Sequence, residues 1–285
     1  MKNAMTTLPP LWFLTCRFAF ALVLLALLNI PKLKTLRGKH IRDAFILGIP
    51  LAFGYAMQTL GLNLTTASNS AFITGTYVVI IPLLGWLVTH RLQIRQLRIA
   101  LIACIGLAAL SLDANLQIHI GDLLVLAGAV GYAIHFLLLD QYTKGYDSLL
   151  ITGLQVAACT VFLAIAALLF EPIPTVASFP PTVCQSLLFT AIFCTVLGFW
   201  VQSFAQKSLP PTTASILFTS ESVFGALFGV LLLHEQLLPR QIGGGILLIA
   251  CMVASVTGKP EASPAAPNKP VPVSNLHIDD TEASR

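Results

Sequence analysis

The chain has 285 residues, of which 56% are hydrophobic and only 10% are charged, with a formal net charge of +4 and a mean hydropathy of +0.84. Soluble domains carry about 25% charged residues, so this composition excludes a water-soluble fold. The alternation of apolar and polar residues that a transmembrane β-barrel needs does not occur in the sequence. The composition therefore predicts an all-α integral membrane protein.

Nine apolar segments follow one another along the chain, each close to the roughly 20 residues that cross the hydrocarbon core as a helix. We predict spans near residues 10–30, 43–62, 67–89, 97–112, 121–140, 148–170, 183–206, 212–233 and 241–257. The last segment, 258–285, is rich in proline, alanine, serine and charged residues and cannot bury enough apolar area to fold. We predict that it is a disordered cytoplasmic tail.

Lysine and arginine are concentrated in loops that share one side of the membrane if every segment crosses it. These loops follow the first, third, fifth, seventh and ninth spans, whereas the other side has Lys2 and Arg240. Positively charged loops stay in the cytoplasm. We therefore predict a multi-pass protein of the cell inner (plasma) membrane with a cytoplasmic C-terminus.

Residues 54–90 recur without gaps at 198–234. A shift of 144 positions superposes identical residues at seven places, among them Gly54 and Gly198, Gln58 and Gln202, Gly85 and Gly229, and His90 and His234. Apolar sequence matches itself easily, so the glutamines and the loop histidines carry most of the argument. A duplicated helical membrane protein is most often a transporter built from two related halves.

The two copies, 54–92 and 198–237, resemble EamA-type carriers of the drug/metabolite transporter superfamily. The Arg17–Phe18 pair in the first span and the final GGGILLIACMVAS helix fit the same resemblance. It implies two inverted five-helix repeats, the first incomplete with four helices at 1–115 and the second complete at 116–257.

The first of the ten family helices is missing on this interpretation, because the helix at 121–140, shifted back by 144 positions, falls before Met1. A misplaced start or a shortened gene is the natural explanation. A cleaved signal peptide is the competing interpretation of the beginning, but the apolar region 18–30 has no Ala-x-Ala exit.

The resemblance implies a secondary transporter that exports or imports a small organic metabolite or drug-like compound by alternating access. The alternative is a truncated, non-transporting membrane protein that serves as an assembly partner or is inactive. An enzyme is not expected, because the deep ionisable residues form no recognised catalytic set. The expected partners are a small-molecule substrate and the lipid bilayer, with no nucleic acid, cofactor or metal. The small residues of Gly225-x-x-x-Gly229 permit a homodimer.

Two charged residues lie inside predicted spans. A carboxyl group at bilayer depth is costly unless it is paired, protonated or in a wet cavity. We therefore predict that Glu221 binds substrate or carries a coupling proton, with a protonated or hydrogen-bonded packing residue as the alternative. Arg17 has three open roles, namely neutralising Glu221, attracting an anionic substrate, or extending to the outer boundary.

Further candidates are uncharged residues at related positions of the two halves. Gln58 and Gln202 are predicted either to hydrogen-bond solutes near the midplane or to join helices, since lipid offers an amide no partner. The repeat aligns Tyr77 with Glu221 and Thr76 with Ser220, so we predict that these pairs face each other across a cavity. Weaker candidates are Trp200 and His135.

Overall fold

The computed structural model describes residues 8–34, 36–90, 92–112, 119–175, 178–233 and 236–257. The predicted tail 258–285, the loop residue His234 and Glu235 lie outside these residues. Within the described ranges the chain is helical and contains no strand. The helices are α1 (Pro10–Leu28), α2 (Ile30–Leu33), α3 (Gly38–Leu62), α4 (Ala67–Gly75), α5 (Tyr77–Thr89), α6 (Ile94–Ser111), α7 (Ile120–Thr143), α8 (Ser148–Phe170), α9 (Pro181–Phe189), a π-helical segment (Thr190–Leu197), α10 (Gly198–Ala205), α11 (Pro211–Phe218), α12 (Ser220–Leu233) and α13 (Pro239–Val256).

Eight helices of the described chain are long and apolar enough to cross a membrane, which confirms the predicted all-α membrane protein. They span 10–28, 38–62, 67–89, 94–111, 120–143, 148–170, 181–205 and 239–256. The ninth predicted span, 212–233, corresponds to α11 and α12, which are two shorter helices on either side of Thr219.

The same interruption occurs in both halves of the sequence. Helices α4 and α5 meet at Thr76, and α11 and α12 meet at Thr219. Each threonine hydroxyl donates to the carbonyl three residues earlier, Ile73 and Ile216, at 2.6 Å. Such side-chain bonds compete with the helical backbone ladder, and ψ is −14° at Thr76 and −12° at Thr219, so each junction is a one-residue irregularity between two helices. The break places Tyr77 and Glu221 in the first turn of the helices that follow.

Contacts between helix ends join loops that are predicted to share a side of the membrane. On the side predicted to be cytoplasmic, Lys32 pairs with Asp147, and Arg95 donates to the carbonyl of Ala254. On the opposite side, the backbone N–H groups of Leu11 and Trp12 donate to Glu171, and Arg240 donates to the carbonyl of Leu112. This grouping is the one expected if every segment crosses the membrane.

Helices α3 and α7 pack along a row of glycines. A Cβ atom on Gly121 would lie 2.5 Å from the carbonyl oxygen of Gly61, and a Cβ atom on Gly128 would lie 2.9 Å from that of Gly54. Because the obstacles are backbone atoms, only glycine fits. Small residues of this kind allow close helix approach in membranes, where burial of apolar area gives no driving force.

The buried apolar side chains form two main clusters. One lies between α1, α3 and α8 and includes Phe18, Leu51 and Val156; the other lies between α5, α6, α11 and α13 and includes Ile216 and Leu248. The candidate site described next borders the first cluster and reaches towards the second.

His90 is the non-glycine residue with a positive φ among the described residues, at 53°. It ends α5, and its backbone N–H donates to the carbonyl of Trp86 at 2.7 Å. We expect His90→Gly to stabilise the protein by about 1 kcal/mol, because a left-handed conformation costs a non-glycine residue about that much. Thermal unfolding in detergent measures the effect. A lower melting temperature for His90→Gly than for wild type would contradict it.

Candidate functional site

Arg17 lies in the middle of α1 and is only 5% exposed. Its Nε donates a hydrogen bond of 2.8 Å to the hydroxyl of Thr195. Its guanidinium carbon lies 5.3 Å from the ring centre of Tyr55 and 5.7 Å from that of Phe18. The side chain therefore points into the helix bundle, and extension to the outer membrane boundary does not describe its position.

A local irregularity brings Thr195 to Arg17. Residues 190–197 form a π-helical segment inside the long helix 181–205, and the Thr195 hydroxyl donates to the carbonyl of Thr190, five residues earlier, at 3.2 Å. One π turn shifts the side chains that follow relative to a regular helix, and such turns are frequent at functional sites. Thr195 is itself fully buried.

Polar side chains from three helices form a hydrogen-bonded chain beside Arg17. The hydroxyl of Tyr132 donates to Gln58 Oε1 at 2.7 Å, and Gln58 Nε2 donates to the hydroxyl of Thr74 at 2.9 Å. The rings of Tyr55 and Tyr132 meet edge to face with centroids 5.3 Å apart. Phe199 completes an aromatic wall, with its ring 6.1 Å from Tyr55.

Glu221 lies in the first turn of α12, and its side chain is exposed. It interacts electrostatically with three tyrosines, Tyr55, Tyr77 and Tyr132. Tyr55 and Tyr132 also interact electrostatically with Arg17. Arg17 and Glu221 therefore both act electrostatically on Tyr55 and Tyr132, although the two charges form no ion pair in the described structure.

The remaining predicted residues have different surroundings. Tyr77 interacts electrostatically with Glu221, and its ring stacks on Phe136 at 5.3 Å; that Tyr77 and Glu221 face each other across a cavity remains a prediction. Thr76 donates to its own helix, and Ser220 begins α12. Trp200 is 43% exposed and belongs to none of the described ring contacts of the aromatic wall.

Gln202 does not reproduce the contacts of Gln58. Its Nε2 donates to Gln206 Oε1 at 3.2 Å, and Gln206 donates in turn to the carbonyl of Phe136 at 2.9 Å. Gln202 is buried. Gln202 therefore bonds along its own chain segment, and Gln206 makes the link to α7; both predicted roles of Gln202 remain predictions.

His135 belongs to a second buried polar chain. Its Nε2 lies 2.7 Å from Gln155 Oε1, and Gln155 Nε2 donates to the hydroxyl of Ser203 at 3.2 Å. Thr152 donates to the same hydroxyl at 3.0 Å. The chain links α7, α8 and α10, and the His135 ring also meets Phe199 edge to face.

The helix ends on the Lys32 side are joined by a polar network. Asp43 is fully buried and accepts from Arg42 at 3.0 Å and from the hydroxyl of Tyr146. Burial and the bond to Asp43 raise the pKa of Tyr146 to about 12. The bond from Lys32, 2.6 Å long, holds the pKa of Asp147 below its ordinary value. Asp147 therefore stays charged at neutral pH, and so does its ion pair.

Several residues of the site were not predicted from the sequence. Tyr55 stands three residues before Gln58, and Tyr132 three before His135, so helical spacing places each on the same face as a predicted candidate. This three-residue spacing is visible in the sequence. Thr195 has no such signal, because its approach to Arg17 depends on the π-helical segment. No group of three potential metal-ligating side chains occurs among the described residues.

Comparison with known proteins decides the family. The sequence profile of the EamA-like transporter family matches residues 1–112 and 119–257. The chain belongs to the EamA-like transporter family. The predicted membership is thereby confirmed, and the protein is a multi-pass membrane transporter that acts on a small-molecule substrate in a lipid environment.

Similar proteins agree with this membership. An uncharacterized transporter of Archaeoglobus fulgidus is 32% identical over 254 residues, which cover 89% of this chain and 79% of that protein. The uncharacterized transporter YvbV of Bacillus subtilis is 26% identical over 93% of this chain and 88% of its own. A solved crystal structure with a TM-score of 0.72 and 14% identity covers 90% of this chain and 91% of its own, which shows a shared fold.

Proposed function

We propose that this EamA-family protein is a secondary transporter that moves a small organic metabolite by alternating access and couples this movement to protons through Glu221. The observation that carries the proposal is the convergence of Arg17, Glu221 and Gln58 on one group of tyrosines within the bundle. Charged and amide groups at bilayer depth are costly and are typical of substrate and ion pathways.

The one-residue irregularities at Thr76 and Thr219 support the proposed mechanism. Transporters commonly bind substrate where transmembrane helices are interrupted, because the helix termini and loosened backbone there can contact a polar solute. In this chain α11 and α12 break at Thr219, two residues before Glu221, and α4 and α5 break at Thr76, beside Tyr77. Movement of one repeat against the other would open the tyrosine group to each side in turn.

The orientation and assembly are also part of the proposal. The basic loops favour a cytoplasmic C-terminus in the inner (plasma) membrane, as the sequence predicts. Division of the chain into inverted repeats at 1–115 and 116–257 remains a prediction. So does a homodimer, for which the exposed α12 residues Phe224 and Phe228 beside Gly225 offer an apolar surface. An enzyme and a non-transporting fragment are not favoured.

Proton-driven uptake into proteoliposomes tests the proposed function. With the purified protein reconstituted, we expect an imposed pH gradient to drive accumulation of at least one solute from a panel of anionic, neutral and cationic metabolites. A protonophore should abolish that accumulation, and liposomes without protein provide the control. Solute flux that is indifferent to the gradient would refute the coupling. No flux of any solute by folded protein would favour the non-transporting alternative.

A further inference from the structure

Arg17 is a buried cation without a carboxylate partner in the described structure. The described ion pairs join Lys32 to Asp147, Arg42 to Asp43 and Lys144 to Asp140. All three lie at helix ends, away from the middle of α1. Burying a charge costs several kcal/mol unless it is paired and hydrogen-bonded. A buried guanidinium without a carboxylate is therefore suited to a negative charge that a ligand supplies.

The free side of the guanidinium has the geometry for an oxyanion. Nε is occupied by Thr195, and neither Nη1 nor Nη2 has an acceptor among the described residues. Two parallel N–H groups of arginine match the two oxygens of a carboxylate or phosphate. The rings of Phe18 and Tyr55 flank the guanidinium. Phe199 and Tyr132 extend the aromatic wall beyond these two rings.

We propose that Arg17 binds the oxyanion of the transported solute, an organic anion with a planar apolar group, and that Glu221 takes up one proton for each anion bound. This inference rests on the proposed function and adds the class of substrate and the stoichiometry. The planar group would pack against the aromatic wall formed by Phe18, Tyr55, Tyr132 and Phe199.

Charge balance supplies the reason for coupling. In the proposed cycle, the empty site holds a guanidinium cation at Arg17 and a carboxylate at Glu221, with no net charge. The site loaded with one anion and with a proton on Glu221 is again neutral. Binding only the anion, or only the proton, leaves one unbalanced charge, which is costly to enclose at bilayer depth. Anion and proton therefore enter from one side and leave together to the other.

The other titratable groups near Glu221 do not alter this charge balance. The phenols of Tyr55, Tyr77 and Tyr132 interact electrostatically with it and ordinarily ionise only near pH 10. Helix α12 contacts α6, α11 and α13. These helices contribute the titratable or charged side chains Arg95, Arg98, Cys104, Arg240 and Cys251. No hydrogen bond or ion pair joins any of these five to Glu221 among the described residues, and the arginines lie near helix ends.

A binding series in detergent tests the inference without requiring transport. The probes are benzoate, phenyl phosphate, benzamide and benzylammonium, which share a ring and differ in charge. We expect benzoate or phenyl phosphate to bind more tightly than benzamide and benzylammonium. Whichever of the two anions binds more tightly indicates whether the transported solute carries a carboxylate or a phosphate. Arg17→Gln should weaken that binding about 10- to 100-fold, the usual value of a hydrogen bond to a charged group.

Two further variants separate a ligand contact from a structural effect. Arg17→Lys keeps the charge without the paired N–H groups and should recover part of the lost affinity. Arg98→Gln removes an exposed arginine and should leave the affinity unchanged. Equal binding of benzoate and benzamide, failure of all four probes to bind folded wild type, or unchanged affinity in Arg17→Gln would overturn the inference. Proton-driven accumulation of a neutral or cationic solute alongside such a result would leave the proposed function standing.

Discussion

Replacing Glu221 with glutamine should abolish substrate accumulation while leaving exchange of substrate for substrate close to the wild-type rate. Glutamine has the shape of a protonated carboxyl group but cannot release a proton. The loaded variant is neutral, as in the wild type, whereas the empty variant retains the uncompensated charge of Arg17. If enclosing that charge costs about 3 kcal/mol, the empty variant reorients about 100-fold more slowly.

Counterflow and net uptake in the same proteoliposomes measure the two rates for Glu221→Gln. Glu171→Gln is the matched control, because Glu171 lies outside the membrane spans and accepts from the backbone of Leu11 at 3.0 Å and Trp12 at 3.1 Å. Glutamine keeps one of those acceptors, so both rates should be retained. Gradient-driven accumulation by Glu221→Gln at the wild-type level would remove Glu221 from the coupling mechanism.

A methyl group on Gly121 should strongly destabilise the fold. Its Cβ would lie 2.5 Å from the carbonyl oxygen of Gly61 and 2.7 Å from the carbonyl carbon of Leu64. These are backbone atoms, so α3 and α7 must separate to admit it. Because backbone atoms cannot rotate away, the overpacking cost lies at the upper end of its usual range, about 3 kcal/mol, and outweighs the roughly 1 kcal/mol by which alanine favours a helix over glycine.

Thermal unfolding in detergent distinguishes the close packing at Gly121 from a general effect of the substitution. Gly243→Ala is the control, because a Cβ atom at that position of α13 meets nothing within 4 Å. We expect Gly121→Ala to melt at a lower temperature than wild type and Gly243→Ala to melt at an equal or higher one. Equal melting temperatures for the two variants would mean that the α3–α7 packing is looser than described.

The sequence was sufficient to predict the helices and the charged residues of the site. An apolar composition is compatible with few folds other than a bundle of membrane helices. Arg17 and Glu221 are recognisable because a charge inside an apolar span is rare. The repeat also aligned Tyr77 with Glu221, and the two interact electrostatically in the structure. Two residues one helical turn from candidates, Tyr55 and Tyr132, could have been found by spacing alone.

Other features of the site depend on packing that no local pattern records. Thr195 reaches Arg17 through a π-helical segment, which the sequence does not distinguish from regular helix. Gln58 and Gln202 occupy equivalent positions of the repeat, yet Gln58 bonds to Tyr132 on a neighbouring helix and Gln202 to Gln206 on its own chain segment. Equivalent sequence positions therefore do not guarantee equivalent neighbours.

The stoichiometry of proton and anion movement shows whether Arg17 and Glu221 act together in one transport cycle. Proteoliposomes with a trapped pH indicator and no initial pH gradient receive the tightest-binding aromatic anion of the series on one side only. We expect the anion gradient alone to acidify the lumen by one proton per anion, at a rate independent of membrane voltage. Anion uptake without acidification, or uptake driven by voltage, would contradict the paired roles of Arg17 and Glu221.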